Sequence, residues 1–304
     1  MNIHDDKKLF SDLLLLVSDY YKINSGFVEK DYYAIGCLKK IITINPNLVF
    51  KGGTSLSKCN KIIKRFSEDI DISYNKEHLS ISQRRNLVYS IKDCIHNFGL
   101  EYLNPESIRS KRLFNRYICP YNTLVLDTPS IKPYIQIELA LQSPSFPIVK
   151  MKVQTFIGQY LDEIGKSELC KQYDLNEFEV NTQTIERTFV DKIFALCDYF
   201  LRKDTKSESR HIYDLHMLFP LIKKDKDLFS LFEEVRQYRI NQEFCPSANP
   251  AIKLSDVMCG YVEDGFYKKD YNNATYTLLF EKVTYEEAIS SIKKIADYLK
   301  ENNL

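Results

Sequence analysis

The sequence predicts an α+β protein: a mixed sheet with flanking helices over residues 1–183, followed by a mainly α-helical region over 184–304. Two observations carry this. Short alternating apolar segments, "LVFKGG", "DIDISY", "RLFNRYICPY" and "PYIQIELAL", lie between amphipathic runs in the first part. From Ile185 onward the spacing is almost wholly helical, over 185–202, 208–223, 226–240 and 284–302. Residues 144–187 are mixed, which sets a soft boundary near 150–185.

The elements follow in order. Leu9, Leu13, Leu16 and Tyr20 recur at helical spacing within residues 5–23. A second helix is expected over 26–42, with Val28, Tyr32, Ile35 and Leu38 on one face, and Pro46 stops it. "LVFKGG" is a short strand ending at a Gly-Gly turn. "SLSKCNKIIKRF" reads as a helix, and "DIDISY" alternates as a half-buried strand. Residues 81–98 form another amphipathic helix, with Leu87, Ile91 and Ile95 inward. The charged stretch "RKDTKSES" divides the helices at 185–202 and 208–223, and residues 261–276 read as a Tyr/Asn-rich loop.

Composition bounds the function. With 304 residues, 44% hydrophobic and 27% charged, the chain can bury a sizeable core. Its net charge of +1 gives no global attraction to nucleic acid or membrane, so any basic surface must be local. The 8 cysteines are scattered with no CxxC pair, which reads as reduced thiols. The N-terminus lacks a basic segment and a small-residue cleavage site, and no stretch approaches the ~18–20 apolar residues of a membrane span. The expected location is cytoplasmic, with no membrane partner.

The chemistry concentrates in "FKGGTSLSKCNKIIKRFSEDIDIS", residues 50–73. A Gly-rich turn between a strand and a helix lets backbone N–H groups approach an anion. Gly52, Gly53, Thr54 and Ser55 are therefore candidates to cradle phosphate, with Thr54 or Ser55 capping the helix and offering a hydroxyl. A bare turn with an N-cap explains the same residues. Asp69 and Asp71 stand two apart in a strand, so they share a face roughly 6.5–7 Å apart while Ile70 and Ile72 face the core. Such carboxylates repel unless a cation lies between them, and Mg²⁺ is commonly held by one or two carboxylates plus substrate phosphates. Glu68 is a third acid nearby but faces away. In "IQIELAL", Glu138 is one charge amid apolar neighbours; a strand beside 69–73 brings it to the aspartates. Three carboxylates can hold two metals and clamp an in-line displacement.

Four stretches resemble one family: "VEKDYY" (28–33), residues 50–73, "IQIELAL" (135–141), and "IERTFVDKIFAL…RHIYDLHML" (185–218). The order GG[ST], helix, DxD, strand with an acid is similar to the polymerase-beta-like nucleotidyltransferase signature. The finer resemblance is to the AbiEii/AbiGii toxins of type IV toxin–antitoxin systems, over roughly residues 27–220. It implies a polymerase-beta-like nucleotidyltransferase core using an NTP and Mg²⁺ or Mn²⁺, with Asp69, Asp71 and Glu138 as metal ligands. Lys51 joins Gly52–Ser55 on the nucleotide side. Lys192 would contact the phosphates, with Arg210 nearby, and Asp214 would orient Lys192 or the acceptor. Arg210 and Asp214 are an i,i+4 pair on one helical face. Two departures occur: Asp191 stands where the family usually has Glu, and His211 follows Arg210 where Asp is usual. The resemblance further implies an RNA acceptor, most plausibly the tRNA 3′ end, so that translation is blocked. It also implies an antitoxin encoded nearby, acting without a stable complex.

Two local basic faces are candidates for RNA: Lys58, Lys61, Lys64 and Arg65 on the expected helix, and Arg109, Arg112 and Arg116 among the aromatics of 108–121. Ordinary solvated faces account for both equally well. The alternatives to the toxin reading are a nucleotidyltransferase acting on a protein or small molecule, and a nucleotide-binding module without turnover.

Overall fold

A computed structural model describes residues 2–67, 69–74, 79–103, 108–109, 113–125, 131–141, 144–204 and 208–304. The chain divides into two compact units: residues 1–60 with 67–183, and residues 61–66 with 184–304.

The first unit opens with helices α1 (Lys7–Tyr21) and α2 (Ser25–Ile44), then strand β1 (Leu48–Lys51). Next come α3 (Gly52–Lys58), β2 (Asp69–Tyr74), α4 (Ile81–Asn97), and strands β3 (Ile108–Arg109), β4 (Phe114–Pro120), β5 (Tyr134–Ala140) and β6 (Ile148–Val153). Helices α5 (Phe156–Glu163) and α6 (Ser167–Gln172) precede β7 (Phe178–Gln183). The seven strands form one mixed sheet in the order β3-β4-β5-β2-β1-β7-β6. β2 runs antiparallel to β1 and parallel to β5.

Alternation gives the sheet two unlike faces. Phe50, Ile70, Ile72, Ile135, Ile137 and Leu139 are fully buried on one side, where α2 lies against β2 and β5 and carries α1 and α4. Burying each such side chain contributes about 1.5–3 kcal/mol. The opposite face carries Lys51, Asp69, Asp71, Gln136, Glu138 and Arg116, all at least partly exposed.

Helix α2 is buried nearly all round, which its one-sided pattern did not announce. Its Glu29, Lys30 and Asp31 are all buried. Glu29 accepts from Thr123 Oγ1 at 2.6 Å and Leu124 N at 2.7 Å, and Asp31 accepts from Phe156 N at 2.7 Å. These charges of the "VEKDYY" stretch thus fasten α2 to the loop after β4 and to the start of α5.

The second unit holds α7 (Ile185–Leu201), α8 (Arg210–Leu218), α9 (Lys226–Arg239), α10 (Leu254–Glu263), α11 (Lys268–Asp270), α12 (Tyr276–Leu278) and α13 (Tyr285–Glu301). Three expectations are corrected. The helix expected through Phe66 ends at Lys58, because 61–66 is drawn into a bridge. Lys61 adopts a positive φ of 56°, Arg65 pairs with Leu279, Phe66 N donates to Leu278 O, and Phe280 N donates to Lys64 O. Helix α8 stops at Leu218: Phe219 keeps helical backbone, but Pro220 has no N–H to continue the ladder and its ring clashes with the preceding turn. The expected loop at 261–276 is largely helical, with a π-helical turn over Tyr271–Thr275. There Tyr261, Tyr267 and Tyr271 supply the buried face that the pattern of aliphatic residues lacked.

Candidate active site

Gly52 sets the site in the first unit. Its φ is +75°, a region open to glycine, and a Cβ there would lie 1.9 Å from Asp71 Oδ2. The chain therefore turns from β1 into α3 directly against the Asp71 carboxylate. Thr54 Oγ1 donates to the Asp69 carbonyl at 2.5 Å and meets Ser67 Oγ at 3.0 Å, while Ser55 Oγ donates to Gly52 O at 2.9 Å. Both hydroxyl residues are buried. They tie the Gly-Gly turn to β2 and to itself; neither is the helix cap, a position held by Lys51 with no side-chain bond.

The acids meet across the sheet. Asp71 is the register partner of Glu138, and Asp69 of Gln136. Lys51 is the partner of Asp71 on the other side, and Arg116 that of Glu138. Arg116 Nε donates to Glu138 Oε1 at 2.8 Å, and Gln136 Nε2 donates to the same oxygen at 3.0 Å. Burial raises the Glu138 carboxyl above its ordinary value; Arg116 opposes this and the charge of Asp69 adds to it.

Glu138 thus has a like charge beside it on β2 and an opposite charge on β4, and its carboxylate has gone to the latter. Among the described residues, no three acidic, His or Cys side chains are grouped to hold a metal ion. The closed trio expected of Asp69, Asp71 and Glu138 is accordingly a juxtaposition on one face, with Glu138 turned to Arg116. The donor set still suits a hard divalent cation: oxygen ligands only, with two aspartates on one strand face.

The second unit contains a buried charge network. Arg65 Nε and Nη2 donate to Asp214 Oδ1 and Oδ2 at 2.7 and 2.8 Å, a bidentate pair. Lys192 Nζ lies 2.7 Å from Asp214 Oδ2 and 3.1 Å from His211 Nδ1. His211 Nε2 is 3.3 Å from Glu208 Oε2. His211 thus stands between the Lys192 amino group and the Glu208 carboxylate. Asp214 is 0% exposed, Arg65 3% and Lys192 5%. Burial by itself would raise the Asp214 carboxyl; Arg65 and Lys192 outweigh it and hold the group well below the usual carboxylate range. The expected Arg210–Asp214 pair is replaced, since both Asp214 oxygens are taken by Arg65 and Lys192.

A family model described as "Nucleotidyl transferase AbiEii toxin, Type IV TA system" matches residues 41–289, well over half of the chain. The chain belongs to the AbiEii nucleotidyltransferase toxin family. The membership implies an NTP substrate and a cognate antitoxin. Among solved structures, the chain is similar to a crystal structure from H. pylori assigned as a nucleotidyltransferase, at 17% identity and a TM-score of 0.47. That match covers 88% of this chain and 94% of the other. Among curated proteins, none matches significantly.

In this AbiEii toxin, two of the basic candidates for RNA contact are internal. Lys58 is buried, 2.7 Å from Asp31 and 3.6 Å from the centre of the Phe156 ring, and Arg65 is spent on Asp214. A basic amphipathic run reads as a solvated face, yet here its cations neutralise acids from distant helices. Lys64 is exposed and paired with Glu281, and Arg116 is half exposed and paired with Glu138. Arg109 lies on β3, and its side chain, like Arg112 and Glu68, falls outside the described residues. Sequence reasoning missed Arg65 and His211 as the partners of Asp214 and Lys192. His211 carried one signal, its departure from the usual Asp; Arg65 carried none. No helix among the described residues is long and apolar enough to cross a membrane.

Proposed function

We propose that this AbiEii toxin transfers a nucleoside monophosphate from an NTP to an RNA acceptor, the 3′ end of tRNA, and so blocks translation. The observation that carries the reading is the position of Asp71: packed against the Gly52 turn, in register with Glu138, and two residues from Asp69 on the same face. A strand face of acids bordering a glycine turn suits a substrate that is itself polyanionic only when a divalent cation bridges the two.

In this reading Asp69 and Asp71 hold Mg²⁺ or Mn²⁺, which neutralises developing charge on the phosphates when bound. The Gly52–Gly53 backbone and Lys51 border the nucleotide. Glu138 would bind a second metal ion or help take the proton from the acceptor hydroxyl. The hydroxyl oxygen bonds to the α-phosphorus, the bond from that phosphorus to the α–β bridging oxygen breaks, and pyrophosphate leaves. For Lys192 the role at the phosphates rests on the family pattern; within its own unit, Asp214 and Arg65 fix where its ammonium stands.

The test incubates the protein with each labelled NTP, total RNA and RNA-free lysate, and sequences tRNA 3′ ends. Label in tRNA, lost in Asp69→Asn and Asp71→Asn variants that still fold, supports the proposal. Label in protein or a small molecule moves the acceptor. Tight NTP binding with no pyrophosphate released by any acceptor overturns the enzymatic reading.

A further inference from the structure

Four charged residues stand in one register row on the polar face of the sheet: Lys51 on β1, Asp71 on β2, Glu138 on β5 and Arg116 on β4. Neighbouring strands are about 4.8 Å apart, so the row reads + − − + over about 14 Å. Glu138 has a choice between its two neighbours, and both hydrogen bonds that hold it, from Arg116 and Gln136, fall on Oε1. Its side chain is 20% exposed, while that of Arg116 is 47% exposed and reachable from solvent. The Phe114 ring lies beside the guanidinium, 5.7 Å from Cζ to centroid, on the same strand face.

We propose that Arg116 is a positioning residue that withholds Glu138 from the cation of Asp69 and Asp71, and releases it when a phosphodiester of the acceptor strand takes the guanidinium. The inference rests on the nucleotidyltransfer reading. At Glu138 the exchange keeps a cation beside the carboxylate. Arg116 trades a carboxylate for a phosphate, which its planar fork accepts equally well. Glu138 trades a guanidinium for a divalent cation. Completion of the acid set is thereby coupled to arrival of the acceptor, which spares the NTP from hydrolysis in its absence.

The test is Mn²⁺ affinity of the whole chain, measured by electron paramagnetic resonance on wild type, Arg116→Ala, Glu138→Gln and the double variant. Arg116→Ala is expected to tighten Mn²⁺ about fivefold, the change that ~1 kcal/mol of coupling produces. In the Glu138→Gln background the same substitution should change nothing. Equal tightening in both backgrounds is mere long-range charge and overturns the proposal, as does weaker binding in Arg116→Ala, which would make Arg116 a support. Arg116→Lys retains the charge and should lie between wild type and alanine. At fixed free Mn²⁺, a short single-stranded RNA should tighten wild type towards Arg116→Ala and leave that variant unchanged; no effect on wild type refutes the release step. Asp71→Asn separates the two readings. Loss of Mn²⁺ binding there, with no coupling in the cycle, sinks only the role of Arg116; unchanged binding sinks the metal site itself.

Discussion

Asp214→Asn is the most telling single perturbation of the helical unit. The carboxylate neutralises two cations, Arg65 and Lys192, that are 3% and 5% exposed. Asparagine keeps the shape and one acceptor oxygen but leaves both charges buried beside a neutral group. Breaking a buried pair by removing one partner costs about 3–5 kcal/mol, and with two cations stranded the upper part of that range is expected. The assay is hydrogen exchange of peptides covering α7 and α8, with guanidinium unfolding of the same samples. Opening free energies of those helices should fall by about 3–5 kcal/mol. The pH dependence has a definite sign. The folded-state Asp214 carboxyl lies well below its ordinary value, so its stabilisation is complete above the ordinary carboxylate range and lost as pH falls through the depressed value. Asp214→Asn should flatten that acid limb. A change below 0.5 kcal/mol, or an unaltered acid limb, refutes the account of the network.

Three further outcomes follow from the same reasoning. Lys58→Met should cost about 3–5 kcal/mol by leaving Asp31 buried without its cation, and Lys58→Met with Asp31→Leu should recover most of it in denaturant titrations. Gly52→Ala forces a Cβ to 1.9 Å from Asp71 Oδ2 at a positive φ; nucleotidyl transfer should be lost, while the backbone conformation adds a penalty of about 1–2 kcal/mol, readable by thermal unfolding. Thr54→Val should remove the tie to the Asp69 carbonyl and cost about 1–3 kcal/mol, and the rate of pyrophosphate release should fall with it.

The acids of β2 and β5 were legible because a strand has a period of two: Asp69, Asp71 and Glu138 each interrupt an apolar alternation on one face. The glycine turn was legible because two of only 9 glycines are adjacent there. What the pattern could not convey was which neighbour each charge would choose. Glu138 sits between β2 and β4, and only the register reveals Arg116 opposite it. Lys58 and Arg65 lie in a run whose spacing suits a solvated helix; the acids that draw them inside come from α2 and α8, the latter 149 residues away from Arg65 in sequence. The helical stretch over 261–276 was hidden for another reason, since tyrosine and asparagine rank low as helix formers and the burial of Tyr261, Tyr267 and Tyr271 overrides that preference.

Residues 61–66 belong to the helical unit although they are made early. On the ribosome they emerge long before 278–280, the backbone they bridge, and before Asp214, the acid that Arg65 neutralises. The second half of the gene does not encode the whole helical body: a fragment beginning at 184 lacks residues 61–66 and strands Asp214 without Arg65. Nascent or truncated toxin therefore cannot complete its helical half, and the nearly finished chain is the first product able to.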